Sequence, residues 1–128
     1  MPNNKNWLIV GGAGYIGAHV IRSFLKNGLN IFVIDNLSTG KIERIPRSVE
    51  FLNLDCNKSS QVNSFINSNK ITGVVHLAAL KHARESSRKP LDYWDKNLSS
   101  IIGLLKGIEG TKVDKLLFSS SCSIYGAN

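Results

Sequence analysis

Several features that would place a protein in a class at once are scarce in this sequence. Only two of its 128 residues are cysteines, Cys56 and Cys122, which excludes a disulfide framework and indicates a reducing compartment. Their spacing does not suit metal ligation, so no metal site is predicted. No apolar run approaches the roughly 20 residues that a membrane-spanning helix needs. The first apolar stretch runs directly into glycines, unlike a signal peptide, and we therefore expect a cytoplasmic protein without membrane contact.

Acidic residues are also few, since nine Asp and Glu stand against 16 Lys and Arg, which gives a net charge of +7. Such a charge is found in proteins that bind nucleic acid, but here the basic residues are scattered and form no stripe interleaved with aromatic side chains. We therefore predict no nucleic-acid partner. The positive charge either favours an anionic ligand, such as a dinucleotide or sugar nucleotide, or belongs to a solvated surface.

What the sequence does contain is an alternation of short apolar segments with amphipathic ones. The predicted strands are WLIVGG, NIFVID, VEFLNLD, GVVHLAA and DKLLFSS, in chain order. Helices are predicted over residues 14 to 27, around Val62, Phe65 and Ile66, and over residues 91 to 109. Residues 36 to 48 have weak periodicity and are predicted to form a long loop.

The ends and faces of these helices can also be predicted. The first helix is expected to stop at Asn27-Gly28, and the second to be capped by Asn57, Ser59 or Ser60. The last helix is expected to point a row of apolar side chains into the core. Its predicted inward residues are Trp94, Leu98, Ile101, Ile102, Leu105 and Ile108.

This order of elements predicts the fold class. A chain of 128 residues suits one domain. Near-continuously apolar strands that alternate with helices are typical of a parallel sheet covered on both faces. Right-handed crossovers then predict an α/β, doubly wound sheet of about five strands in the order 3-2-1-4-5. Ligands of such sheets bind beyond the carboxyl ends of the strands, at the switch between strands 1 and 4.

A glycine-rich loop, GGAGYIG at residues 11 to 17, follows the first strand and opens the first helix. Gly11 suits the tight turn, Gly14 the close approach of backbone to a pyrophosphate, and Gly17 the packing of helix on strand. The free N–H groups and positive dipole of the helix start favour phosphate. The stretch also satisfies G-x-G-x-x-G from Gly12, so spacing alone leaves the register open.

An acidic residue, Asp35, ends the second strand 18 residues after Gly17. Its carboxylate can accept both hydroxyls of an adenosine ribose and would repel a 2′-phosphate, which favours NAD over NADP. The alternative is a structural turn followed by a chance acid. With the glycine loop, Asp35 predicts that residues 1–128 form an NAD-binding domain of the Rossmann fold.

Two further strand ends fit the same cleft. Asp55 and Cys56 close the third strand, where the carboxylate either meets adenine or caps the following helix. Small Ala78 and Ala79 close the fourth strand and leave room for a flat ligand. His76 in that strand is predicted to be a core residue and not a base.

Together these segments resemble the N-terminal part of the UDP-glucose 4-epimerases, within the extended short-chain dehydrogenase/reductase superfamily. The resemblance covers essentially all 128 residues, but well under half of a complete family member. It is carried by GGAGYIGAHV, VIDNLSTG, VEFLNLD, VVHLAALKHARESSRKPLDYWDKNL and LLFSSSCSIYG. DNLSTG, and Leu-Lys followed by Glu-Ser and Lys-Pro-Leu, favour the hexose 4-epimerases over the dehydratases and decarboxylases. The resemblance implies hydride transfer from sugar C4 to NAD and back to the other face.

The resemblance also implies the roles of individual residues. Tyr15 and Ile16 would lie on the pyrophosphate, and residues 36–40 along the adenosine half of NAD. Lys81 would reach the ribose and phosphate part near the substrate, and Ser121 would bind the reacting sugar hydroxyl as the catalytic serine, unless it is only a structural strand-end serine. The full cofactor set is Gly11, Gly14, Tyr15, Ile16, Gly17, Asp35, Asn36, Leu37, Ser38, Thr39, Gly40, Asp55, Cys56, Leu77, Ala78, Ala79, Lys81 and Asn97.

The chain departs from the family pattern at several positions. Val10 replaces a Thr before the glycines, and Lys96 replaces an Asn beside the retained Asn97. Residues 82–84, His-Ala-Arg, replace smaller apolar residues and a Gly, and Cys122-Ser123 replaces Ala-Thr. The Arg at position 84 is expected to crowd or recharge the substrate side.

The family base is the Tyr of Tyr-x-x-x-Lys, and this motif is absent from the sequence. We therefore expect a truncated member that is inactive alone and binds a UDP-sugar only if another segment completes it. The segment that is missing relative to the family would cover part of the sheet beside residues 91 to 109. Its loss should leave an apolar patch there and an open edge on the fifth strand, and both features predict a homo-oligomer. A stand-alone NAD-binding or sensing module, and a remnant without ligand, remain the alternatives.

Overall fold

Five strands form one parallel sheet in the computed structural model, which describes residues 5–79 and 83–126. The strands are β1 (Asn6–Val10), β2 (Asn30–Asp35), β3 (Glu50–Asn53), β4 (Gly73–His76) and β5 (Lys115–Phe118). Their order is β3-β2-β1-β4-β5, and every pairing is parallel. This confirms the predicted doubly wound α/β sheet and its strand order. All five strands lie within or beside the apolar segments predicted from the sequence.

Four helices connect the strands in the described residues. They are α1 (Tyr15–Lys26), α2 (Ser59–Ser68), α3 (Ala83–Arg88) and α4 (Pro90–Ile108), with short 3-10 turns at Ile42–Arg44 and Cys122–Tyr125. The first 3-10 turn lies inside the predicted loop. The short helix α3 has too few residues to show a helical period, and the sequence analysis missed it.

The ends of two helices test the sequence-based signals. Helix α1 stops as predicted, because Gly28 adopts a positive φ of 74° and the Leu29 N–H bonds to the Phe24 carbonyl at 3.1 Å. The predicted cap of α2 is wrong. Lys58 occupies the N-cap position without a side-chain cap bond, and Ser59 is already helical. The Ser59 hydroxyl donates instead to the Gly103 carbonyl at 3.0 Å, which joins α2 to α4.

The core lies on both faces of the sheet, because successive strand residues point to opposite sides. Leu8 and Val10 of β1 pack with residues of α2 and α4 on one face. Ile9 packs on the other face with Ile21 of α1. All four side chains are at most 1% exposed, so β1 is the centre of the molecule.

The inward face of α4 differs from the prediction. Trp94, Leu98, Ile102 and Leu105 are 45–65% exposed, whereas Ile101 and Ile108 pack partly against the core. The face that meets α2 is instead built from small residues, because a Cβ on Gly103 would lie 2.3 Å from the Asn57 Cα and one on Gly107 would lie 2.7 Å from a Val62 methyl. Close helix packing required glycine, which hydropathy alone does not register.

The outer apolar residues of α4 and the strand β5 form an exposed surface that we call the outer face. Its residues are Leu91, Trp94, Leu98, Ile102, Leu105, Leu116, Leu117 and Phe118. In the part of the chain that the structure describes, no helix combines the length and the apolar character needed to cross a membrane.

Candidate functional site

A cleft of about 610 Å³ opens at the carboxyl ends of the strands, where β1 and β4 diverge. Most of the residues predicted for the cofactor line it. They are Gly11, Gly14, Tyr15, Gly17, Asp35, Asn36, Ser38, Thr39, Gly40, Asp55, Cys56, Leu77, Ala78, Ala79 and Asn97. A smaller hollow of about 320 Å³ at the opposite edge of the sheet, beside Leu29 and Asn30, contains none of the predicted residues in its lining.

Three predicted residues stand apart from this lining, and a fourth lies outside the described residues. Ile16 is 48% exposed on the first turn of α1, and Leu37 packs partly against the core. Ser121 is exposed beyond the end of β5 and does not line the cleft. Lys81, predicted for both cofactor and substrate, lies outside the described residues, as does His82. The structure therefore gathers most of the predicted cofactor residues but leaves Ser121, the predicted catalytic serine, outside their cleft.

The glycine loop makes the turn between β1 and α1 by close backbone contacts. Gly11 has a φ of 86°, and a Cβ there would lie 2.7 Å from the Ala78 amide nitrogen. A Cβ on Gly17 would lie 2.5 Å from the Gly11 carbonyl, so only glycine lets α1 start against the loop. Gly12 is buried against Val33, which assigns the turn to Gly11 and resolves the register that spacing left open.

The start of α1 is the part of the cleft best suited to an anion. Gly14 is its N-cap residue, none of the described side chains caps it, and the first turn carries no acidic residue. A Cβ on Gly14 would come no closer than 3.4 Å to other atoms, so this side of the loop is open to a ligand. The unpaired N–H groups of a helix start and its positive dipole favour phosphate at such a position.

The Asp35 carboxylate is held in place beside this helix start. Its two oxygens accept the Ala13 N–H at 2.9 Å and the Leu37 N–H at 2.8 Å. The Ala13 carbonyl in turn accepts the Lys41 N–H at 3.0 Å and the Arg44 guanidinium at 3.3 Å. Ala13 therefore ties the loop after β2 to the glycine loop, and each Asp35 oxygen retains a lone pair for a further donor.

The end of β3 supplies the opposite wall of the adenosine side. The Asp55 carboxylate accepts the Asn57 N–H at 3.2 Å. It also accepts a long hydrogen bond of 3.5 Å from the side-chain amide of Asn36. The carboxylate thus closes the turn before α2 and also lines the cleft. Asp55 does not cap α2, because Lys58 occupies the N-cap position without a side-chain cap bond. Contact of Asp55 with adenine stays a prediction.

Beneath the cleft lies a buried polar cluster of Cys56, His76 and Ser100. The Ser100 Oγ lies 2.9 Å from His76 Nε2 and 3.0 Å from Cys56 Sγ, and it donates to the Ala78 carbonyl at 3.4 Å. Burial raises the pKa of the Cys56 thiol, so this thiol is a poor nucleophile. Burial lowers the pKa of His76, which keeps the imidazole neutral in the core as predicted.

Helix α4 contributes one wall of the cleft through residues of its first turns. Asn97 lines the cleft beside Lys96. Sequence reasoning missed other polar lining residues, which are Arg44, Asn57, Glu85, Asp95, Ser99 and Ser100. Ser100 was predictable as a neighbour, since it lies three residues after Asn97 on the same helix. Glu85 was not, because it depends on α3, where it accepts the Tyr93 hydroxyl at 2.9 Å.

Within residues 5–79 and 83–126, no group of three or more His, Cys, Asp or Glu side chains is arranged to hold a metal ion. The cleft contains hydrogen-bond donors, one helix start and carboxylates. This set matches a ligand that carries both phosphate and ribose hydroxyls.

Known proteins are similar to this chain in sequence. The chain is 35% identical over 128 residues to the bifunctional protein GAL10 of Candida maltosa, a match that covers 94% of this chain and 84% of that protein. It is 38% identical over 119 residues to a UDP-glucose 4-epimerase of Lactobacillus helveticus, covering 93% of this chain and 36% of that enzyme.

Solved structures agree with these relatives. The fold superposes with a TM-score of 0.91 and 32% identity on the UDP-glucose-4-epimerase from Stenotrophomonas maltophila with bound NAD and formylated UDP-arabinopyranose. That match covers 97% of this chain and 39% of the other, so this chain spans about two fifths of its length. These similarities confirm the resemblance predicted from the sequence.

The family match extends over nearly the whole chain. Residues 7–128 match the NAD dependent epimerase/dehydratase family. The chain therefore belongs to the NAD dependent epimerase/dehydratase family.

Proposed function

We propose that the chain, residues 1–128, is the NAD-binding portion of a UDP-glucose 4-epimerase and does not turn over sugar nucleotide alone. One observation carries this proposal. The uncapped start of α1, the open side of Gly14 and the Asp35 carboxylate line one cleft. A phosphate site at the glycine loop, followed 18 residues after Gly17 by an acid suited to ribose, is typical of a dinucleotide site. The Stenotrophomonas relative is described with bound NAD.

The residues of the cleft would divide the dinucleotide among them. The backbone of Tyr15 and Ile16 would donate to the pyrophosphate, which Gly14 would let approach closely; a backbone N–H suffices here even where the side chain points outward. Asp35 would accept the adenosine ribose hydroxyls. Residues 36–40, Asp55 and Cys56 would line the adenosine half, and Leu77, Ala78, Ala79 and Asn97 the other half.

The part of the cleft around Asp35 supports a preference for NAD over NADP. A 2′-phosphate would meet the Asp35 carboxylate, and like charges at hydrogen-bond distance repel. Arg44, a basic residue that also lines the cleft, already donates to the Ala13 carbonyl at 3.3 Å. A 2′-phosphate that reached its remaining N–H groups would still be repelled by the Asp35 carboxylate.

Catalysis would need groups beyond this cleft. When bound, NAD accepts hydride from a sugar carbon and returns it. Ser121 would orient the sugar hydroxyl and Lys81 would contact both cofactor and substrate, as the family pattern implies. None of the three tyrosines, Tyr15, Tyr93 and Tyr125, is followed four residues later by lysine. We therefore propose that a UDP-sugar binds productively only when another segment supplies this base.

An assay of UDP-galactose conversion tests the catalytic part of the proposal. The purified chain, saturated with NAD, should give no UDP-glucose above the rate without protein. Addition of a polypeptide that carries Tyr-x-x-x-Lys from a relative should then be required for any turnover. Turnover by the chain alone would contradict the proposal, and it would show that a residue of this sequence acts as the base.

We further propose that the outer face mediates self-association of a cytoplasmic protein. Leu98 and Leu105 of α4 are 45% and 48% exposed, and β5 has one edge that pairs with no other described strand. Leu98→Glu should lower the apparent mass in sedimentation at high protein concentration, and Lys106→Glu, on the same helix, serves as the control. A wild-type chain that sediments as a monomer would contradict this part.

A stand-alone NAD-binding or sensing module is the second candidate function. The cleft supports it, because a sensor needs a nucleotide site and no base. The two candidates differ in the role of Ser121, since only an epimerase portion uses this hydroxyl. Ser121→Ala should leave NAD affinity unchanged in both cases but abolish complemented turnover in the first.

A further inference from the structure

We propose that Ser100 is a positioning residue that fixes the two halves of the cleft floor relative to each other. Its hydroxyl contacts Cys56, which follows β3, and Ala78, which follows β4. These two segments lie under opposite halves of the cleft, and Ser100 lies on α4 between them. The proposal rests on the proposed function only for the ligand, since the geometry exists without it.

The contacts of Ser100 are unusually complete for one short side chain. It is 9% exposed, and Cys56 and His76 are 5% and 3% exposed. Its Oγ lies 2.9 Å from His76 Nε2 and 3.0 Å from Cys56 Sγ, while its own carbonyl accepts the Cys56 thiol at 3.4 Å. No described buried side-chain nitrogen or oxygen lacks a partner, so each of these atoms in the cluster has at least one. Buried hydrogen-bonded clusters of this kind favour one arrangement, because a displacement that leaves a polar group unpaired costs free energy.

The alternative is that Ser100, Cys56 and His76 only stabilise the fold and do not position the cleft floor. Other side chains also form hydrogen bonds to α4 and provide a comparison. Asn63 of α2 donates to the Gly107 carbonyl at 3.0 Å and the Glu109 carbonyl at 3.3 Å, farther along α4. Asn63 does not line the cleft. Asn63→Ala is therefore a matched control, since it removes a tertiary bond to the same helix without touching the cleft floor.

Hydrogen exchange of two backbone amides measures the local stability of the two floor segments without any ligand. The Leu77 N–H bonds to the Val10 carbonyl at 2.8 Å, and the Lys58 N–H bonds to the Asp55 carbonyl at 3.0 Å. In Ser100→Ala, exchange of both amides should accelerate by about five- to tenfold, the effect of losing one net hydrogen bond. In Asn63→Ala both should exchange as in the wild type. Cys56→Ala should accelerate the Lys58 amide more than the Leu77 amide.

Binding of NAD supplies the second readout. Ser100→Ala should raise the NAD Kd about five- to tenfold, whereas Asn63→Ala should leave it unchanged at a similar loss of Tm. Cys56→Ser, which keeps a donor facing Ser100, should retain most of the affinity. Exchange rates in Ser100→Ala that match those of Asn63→Ala would overturn the positioning role. A wild-type chain that binds no NAD would instead overturn the proposed function, and the exchange result would still decide the role of Ser100. If Ser100→Ala does not fold, the contrast between the two amides in Cys56→Ala decides it.

Discussion

The central strand β1 and the edge strand β5 are both short apolar segments, yet they have opposite environments. Leu8, Ile9 and Val10 are at most 1% exposed, whereas Leu117 and Phe118 are 59% and 54% exposed. Strand β1 has a partner strand on each side and helices on both faces, while β5 pairs only with β4 among the described strands. An apolar segment therefore predicts a strand, but the neighbours of that strand decide how much of it is buried.

The contrast is sharpest for the loss of one leucine from each strand. Leu8→Ala removes a fully buried side chain and should lower the free energy of unfolding by about 2–5 kcal/mol. Leu117→Ala, with 59% exposure, should lower it by less than about 1 kcal/mol at a protein concentration where the chain is monomeric. Urea unfolding of both variants at such a concentration measures the difference. Equal losses there would mean that β5 is buried within the monomer, contrary to the structure.

Helix α4 has two faces that give the same contrast within one element. An Ala usually stabilises a helix relative to Gly by about 1 kcal/mol. Gly103→Ala should instead destabilise by about 1–3 kcal/mol, because the new Cβ would meet the Asn57 backbone at 2.3 Å. Leu105→Ala on the exposed side is the control and should change little in a monomeric chain. A stabilised Gly103→Ala would place α4 farther from the β3–α2 turn than the structure has it.

His76 lies at the boundary between the two regions, stacked on Phe118 at 5.6 Å between ring centroids. Ser100 also contacts the ring, and none of the hydrogen bonds described here joins it to a carboxylate. Because burial lowers its pKa below 6.5 in the folded state, the unfolded chain binds this proton first as pH falls. The stability that His76 contributes is therefore complete above pH 6.5 and is lost below it.

The expected slope is at most about 1.4 kcal/mol per pH unit. Urea unfolding between pH 5 and 7 should show this loss in the wild type and a smaller one in His76→Gln. The other two histidines are present in both proteins, so the difference belongs to His76. Parallel pH profiles of the wild type and His76→Gln would mean that water reaches the His76 ring, so that the ring is not buried as the structure has it.

The sequence predicted the inner region better than the outer one, for physical reasons. The apolar strands, the glycine loop and Asp35 encode their positions locally, through hydropathy, backbone freedom and spacing. The outward direction of Trp94 and Leu98 was missed, because small Gly103 and Gly107 decide which side of α4 can approach α2. The cluster around Ser100 joins residues 24 and 44 positions apart, and no local pattern announces such a contact.

The most direct test of the account is calorimetric titration of the purified chain with NAD, and with NADP beside it. The account predicts saturable NAD binding, weaker NADP binding, and a loss of about tenfold or more in NAD affinity for Asp35→Ala, since hydrogen bonds to a charged group contribute about 1.5–3 kcal/mol. Circular dichroism must show that Asp35→Ala is folded, because this carboxylate also holds the Ala13 and Leu37 amides. No heat with either dinucleotide from the folded wild type, or unchanged affinity in Asp35→Ala, would contradict the proposal that this cleft is an NAD site.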